Sequence, residues 1–223
     1  MVSGVGVMIS QTQPLLQLAV DVLSISDALR IAAEIYPYFD IIEAGTPLIL
    51  EEGLAAVEKL RKQHPDKICL ADLKIMDGGY IEAGSAFKRG ANIVTVLGVA
   101  HDKTILAALK AAQEHGGKIM ADLINVKQVV VRARELEELG VPIICLHTAY
   151  DRQNTGVDPL EELQAVRPVV QCQLAVAGGL GLATVGEAAA AGADILVVGG
   201  GILGQGDRQN AASQIIKATR KNI

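Results

Sequence analysis

The sequence predicts a single α/β domain of the (β/α)8 TIM-barrel class, on three observations. Its 223 residues fall in the range in which such barrels form one unit. Eight short aliphatic runs alternate with stretches of helical periodicity. Glycine closes several of those stretches just before the next run begins.

The expected strands are, in order, Leu15–Asp21, Phe39–Glu43, Lys67–Asp72, Ala91–Leu97, Lys118–Asp122, Val141–His147, Gln173–Val176 and Asp194–Val198. Half of the residues are hydrophobic but only 3% are aromatic, so the core is built from Ala, Val, Ile and Leu, as parallel strands buried on both faces require. Between the strands, Ile105, Leu106, Leu109 and Ala112 share one helical face, as do Val129, Ala133, Leu136 and Gly140. Gly90, Gly140 and Gly192 each stand where a helix should stop. A doubly wound nucleotide-binding sheet is rejected, because Ala19-Val20-Asp21-Val22-Leu23 holds no glycine and Gly4-Val5-Gly6 precedes the first strand. No linker or composition shift divides the chain, so residues 1–223 read as one domain, with 1–10 as a flexible or appended tail and Met8 as a candidate native start.

A net charge of −5 argues against nucleic acid as a partner. No apolar run approaches the ~20 residues that cross a bilayer, and the first ten residues lack the features of a signal peptide. Cys69, Cys145 and Cys172 lie far apart in apolar runs, which favours free buried thiols and a cytoplasmic location.

Five expected strands end on an ionisable residue: Asp21, Glu43, Asp72, Asp122 and His147. One acidic strand end is often only an N-cap for the next helix. Five at the C-terminal mouth of one barrel point instead to an active site. Unpaired carboxylates crowded there repel, and a cation would relieve that repulsion. Glu43 and Asp72 end neighbouring strands and offer the hard oxygen ligands that suit Mg2+, with Mn2+ as the second candidate. Such an ion would act as a Lewis acid on a ketose carbonyl and its adjacent hydroxyl.

Asp72-Leu73-Lys74-Ile75-Met76-Asp77 is the sharpest local motif, in which a lysine between two carboxylates is held charged to meet a developing alkoxide. His147 suits proton transfer near neutral pH. His64 and His115 read as solvent-facing, and His101 is given no role. Gly178-Gly179 after the seventh strand and Gly199-Gly200 after the eighth suit a phosphate site formed by backbone N–H groups, although glycine-rich turns also arise from backbone geometry alone.

Several of these segments closely resemble the 3-hexulose-6-phosphate synthases of the orotidine 5′-phosphate decarboxylase suprafamily. They are Asp40 to Pro47, Asp72 to Gly79, Val94 to Gly98, Asp122 to Val126 and Ala175 to Gly179, and the likeness runs from about Leu15 to the end. The resemblance implies an aldol joining of D-ribulose 5-phosphate and formaldehyde into D-arabino-hex-3-ulose 6-phosphate, or its reverse, through an enediolate. It further implies that Asp21 and Asp122 bind substrate, that Glu43 and Asp72 hold the metal, and that Lys74 and Asp77 stabilise the enediolate. Asp77 would reach in from the partner subunit of a homodimer, His147 would move the proton, and Gly178, Gly179, Gly199 and Gly200 would cradle the phosphate.

The related 3-keto-L-gulonate-6-phosphate decarboxylases are the alternative reading. They typically carry Glu where this chain has Asp122, Arg near Tyr150, and Gly-Arg where it has Gly199-Gly200; these departures favour the synthase. A barrel that binds a sugar phosphate without turnover is the third reading, and it would predict a broken acidic constellation.

Overall fold

The structure, a computed structural model, describes residues 13–152 and 159–220. The suggested N-terminal tail and Met8 lie outside them. Eight strands alternate with helices along the chain: β1 (Leu15–Val20), α1 (Ile25–Glu34), β2 (Ile41–Ala44), α2 (Thr46–Glu52), α3 (Ala55–Gln63), β3 (Ile68–Ile75), α4 (Gly79–Lys88), β4 (Ile93–Leu97) and α5 (Asp102–His115). Then follow β5 (Lys118–Asp122), α6 (Val129–Glu138), β6 (Ile143–His147), α7 (Pro159–Val166), β7 (Gln173–Ala177), α8 (Val185–Ala190), β8 (Ile195–Val198), the single turn α9 (Gly200–Leu203) and α10 (Arg208–Arg220). The strands pair in parallel in sequence order, and β8 closes on β1 with Leu15 opposite Ile195 and Leu18 opposite Val198. The chain is a (β/α)8 barrel.

Strand alternation divides the core in two. Leu15, Ile41, Leu70, Ile93, Met120 and Ile143 pack together inside the barrel, while Leu16, Ile42, Val94 and Ile144 face the helices. Both faces are therefore buried, which is why the strands read as unbroken aliphatic runs. Two residues beyond Ile41, Leu70, Ile93 and Met120 on the same inward face come Glu43, Asp72, Thr95 and Asp122, so the period of two carries polar groups into the mouth. The expected helix stops at Gly90, Gly140 and Gly192 all have φ near +90° (94°, 90° and 94°), a conformation that glycine adopts without penalty.

Four sequence-based expectations are corrected. Most strands begin one or two residues later than expected. Strand β3 runs on to Ile75, so Asp72 lies within it, with a register shift against β4 between Ala71 and Ile75. Leu106 is on the outer side of α5, 46% exposed, because Ile105, Ala108, Ala111 and Ala112 form the buried stripe. His64 is buried rather than solvent-facing, since its ring stacks on Tyr36 and meets the edge of Phe39. His115 is exposed, as expected. All three cysteines are free; Cys69 and Cys145 are buried, and Cys172 partly so.

Candidate active site

The mouth of the barrel gathers the ionisable strand ends. Glu43, the penultimate residue of β2, is buried, and its Oε2 accepts a 2.7 Å bond from Gln17 Nε2 on β1. Burial, and then the neighbouring Asp72, push its carboxyl well above the usual range. Asp72 is also buried, yet it shifts the other way. Its burial is outweighed by Lys74, whose ammonium binds Oδ2, with hydrogen bonds from Thr46 Oγ1 to Oδ2 and Thr95 Oγ1 to Oδ1, both 2.7 Å. Lys74 is reciprocally held charged: burial opposes this, but Asp72 and then Asp122 and Glu43 raise its pKa.

The expectation of a lysine between two carboxylates is met on one side only. Asp77 is exposed, and its Oδ1 accepts from the Gly78 N–H at 2.7 Å, whereas Lys74 Nζ is bonded to Asp72 and Thr46. Within one chain, Asp77 is not brought to the lysine. The cause is the turn after Ile75, which carries Asp77 outward between the exposed Met76 and Tyr80.

His147 ends β6, and its Nδ1 lies 2.8 Å from Asp122 Oδ2. Asp122 Oδ1 accepts from the Ile124 N–H at 2.8 Å, so both carboxylate oxygens are engaged. Besides the substrate contact expected of it, Asp122 thus orients the imidazole. A proton on Nδ1 shared with Asp122 leaves Nε2 as the nitrogen for proton transfer.

Asp21 follows β1 and lies against glycines from both sides of the mouth. A Cβ on Gly45 would stand 2.1 Å from its Oδ1, and one on Gly199 would stand 3.5 Å from its Oδ2. Asp21 is exposed at one edge, but burial of the rest, and then Asp72, raise its pKa. The loops after β7 and β8 touch, since a Cβ on Gly201 would lie 2.5 Å from Leu180 O. Gly178 and Gly179 have φ of 94° and 75°, and a Cβ on Gly178 would meet Thr148 O at 2.1 Å. Gly200 opens α9, with nothing within 4 Å of where its Cβ would be.

Gln17, Thr46 and Thr95 were missed by sequence reasoning. Gln17 and Thr95 had a signal: each is a polar residue inside an aliphatic strand, at the inward parity. A separate depression of about 550 Å3 opens between the loops after β4 and β5, where Arg132 is already tied to Gly98 O, Ala100 O and Asp102. The titratable groups converge at the mouth instead.

The described residues contain no cluster of three or more His, Cys, Asp or Glu side chains arranged to hold a metal. Glu43 and Asp72 nevertheless fit a Mg2+ ion. They are two buried hard-oxygen donors on adjacent strands, and Mg2+ commonly takes one or two carboxylates and fills its other sites with water and substrate.

Residues 14–215 match the model of the orotidine 5′-phosphate decarboxylase / HUMPS family. The chain belongs to this family. Within the family it is 42% identical over 201 residues to the 3-hexulose-6-phosphate synthase of Bacillus subtilis, covering 90% of this chain and 96% of that protein. The crystal structure of 3-hexulose-6-phosphate synthase from Salmonella typhimurium superposes with a TM-score of 0.91 at 37% identity, over 94% of this chain and all of the other (100%). That of 3-keto-L-gulonate-6-phosphate decarboxylase from Vibrio cholerae superposes with a TM-score of 0.84 at 29% identity, over 94% of this chain and 99% of the other. As a HUMPS-family barrel, the chain gathers Asp21, Glu43, Asp72, Lys74, Asp122 and His147 at its mouth.

Proposed function

We propose that this HUMPS-family enzyme is an aldolase that joins D-ribulose 5-phosphate and formaldehyde to give D-arabino-hex-3-ulose 6-phosphate. The observation that carries the reading is the Lys74–Asp72 ion pair set beside Glu43, at the same mouth as the Asp122–His147 pair. The greater identity to the two synthases (42% and 37%) than to the decarboxylase (29%) favours aldol addition over decarboxylation.

Glu43 and Asp72 would hold Mg2+, which when bound supplies Lewis-acid polarisation of the ketose oxygens. The steps belong to the chain's own residues. His147 Nε2 takes the proton from the hydroxymethyl carbon next to the carbonyl, while Asp122 holds the imidazolium. Lys74 donates to the oxyanion as it develops, its charge already secured by the pairing with Asp72. The carbanionic carbon attacks formaldehyde, and the new alkoxide takes the proton back. Asp21 binds substrate hydroxyls, and Gly178, Gly179, Gly199 and Gly200 present backbone N–H groups to the phosphate.

Asp77 completes the site of a second copy in a homodimer. Its exposed carboxylate, flanked by Met76 (53% exposed), Tyr80 (43%) and Ile81 (73%), supports this reading, because an apolar surround is what a subunit contact buries. Free thiols fit a reducing cytoplasm. No helix among the described residues is long and apolar enough to cross a membrane.

The test is formaldehyde consumption with ribulose 5-phosphate, before and after EDTA treatment. Loss of formaldehyde that stops with EDTA and resumes with Mg2+ is expected. No loss from folded, metal-loaded protein would transfer the reading to decarboxylation of 3-keto-L-gulonate 6-phosphate. Gly178→Ala, forced into a left-handed backbone and against Thr148 O, should lose about 1–3 kcal/mol of stability in urea unfolding. It should also raise KM for the sugar phosphate, and an unchanged KM would remove this loop from phosphate binding.

A further inference from the structure

Strand β4 reads Ile93-Val94-Thr95-Val96-Leu97, and its one polar side chain is buried to 4% exposure. Thr95 Oγ1 donates to Asp72 Oδ1 at 2.7 Å and accepts from the Lys74 N–H at 2.9 Å. Both contacts fall where the β3–β4 register shifts between Ala71 and Ile75. There Lys74 has φ of +48°, a conformation that side-chain-bearing residues seldom adopt unless their surroundings hold them in it. The threonine hydroxyl therefore takes the place of a strand carbonyl for the Lys74 amide. Meanwhile the Lys74 ammonium closes on the other oxygen of the carboxylate that the hydroxyl holds.

We propose that Thr95 is a positioning residue, whose hydroxyl locks the kink at Asp72-Leu73-Lys74 so that carboxylate and ammonium face the substrate in one fixed arrangement. It acts through those two residues, because its hydroxyl is bonded to both of them. The proposal rests on the reading of this mouth as the catalytic centre. A threonine that merely filled a polar gap in the core would affect stability and leave the turnover of the folded protein alone.

Thr95→Val keeps the shape and removes the hydroxyl; Thr95→Ser keeps the hydroxyl. In the full chain with Mg2+, kcat of Thr95→Val should fall about 10- to 100-fold, the scale of a lost hydrogen bond to a charged group. KM for ribulose 5-phosphate should stay within about threefold, because the phosphate loops are untouched. Thr95→Ser should recover most of kcat. A second readout is independent of turnover: amide hydrogen exchange at Lys74 should quicken at least about tenfold in Thr95→Val and stay slow in Thr95→Ser.

A wild-type kcat in Thr95→Val, an equal loss in Thr95→Ser, or unchanged Lys74 exchange in Thr95→Val would each overturn the proposal. If the wild-type protein consumes no formaldehyde, the functional reading fails on its own, and the exchange comparison decides the positioning role. Should Thr95→Val not fold, Thr95→Cys, similar in size and a weak donor, takes its place in both measurements.

Discussion

Asp72→Ala will leave a folded barrel whose kcat/KM is reduced by about three orders of magnitude, equivalent to several kcal/mol of lost transition-state stabilisation. Three roles end with this one carboxylate. It is one of two proposed metal ligands, it is the anion that keeps Lys74 charged, and it is the acceptor for Thr46 and Thr95. Removing it leaves a partly buried ammonium without its partner, which taken alone is destabilising. Two features offset that cost: Lys74 keeps 26% of its side chain exposed, and Glu43 loses a like charge that, after burial, raises its pKa. The melting transition should therefore stay cooperative while activity at saturating Mg2+ collapses. Retention of more than about a tenth of wild-type kcat/KM would exclude Asp72 as both metal ligand and electrostatic support.

Asp77→Ala should be nearly inactive, and so should Lys74→Ala; their mixture should recover activity. If Asp77 serves the mouth of a second subunit, random exchange yields about half mixed dimers. In each, one site combines two damaged contributions and the other is intact, so recovery should reach about a quarter of wild-type activity. The basis is geometric: Asp77 is exposed and bonded to its neighbour's amide, while Lys74 faces the other way into its own barrel. A mixture no more active than its components, with subunit exchange demonstrated, would return Asp77 to a role within its own chain or to none.

Much of this was legible in the chain because a buried parallel strand writes itself as an aliphatic run. Ile41-Ile42-Glu43 and Met120-Ala121-Asp122 show both the strand and its polar end. The extension of β3 past Asp72 was hidden, because a register shift belongs to the pairing of two strands and leaves no periodicity in either. For the same reason Asp77 looked like a partner for Lys74: spacing along the chain says nothing about a turn that points the carboxylate away. His64 was misread because its burial depends on Tyr36 and Phe39, which reach it from a different segment. Thr95 and Gln17 were visible as polar interruptions, but their importance emerges only when Asp72, Lys74 and Glu43 are seen to lean on them.

The seam between β1 and β8 joins the two ends of the described fold, and it sets Asp21 against Gly199. A polypeptide emerging from the ribosome makes Asp21, Glu43, Asp72 and Lys74 well before β8, and their enclosure waits until that strand has been made. Prematurely terminated products, however much of the acidic mouth they contain, lack the wall that completes it, and their open strand edges mark them for aggregation or removal.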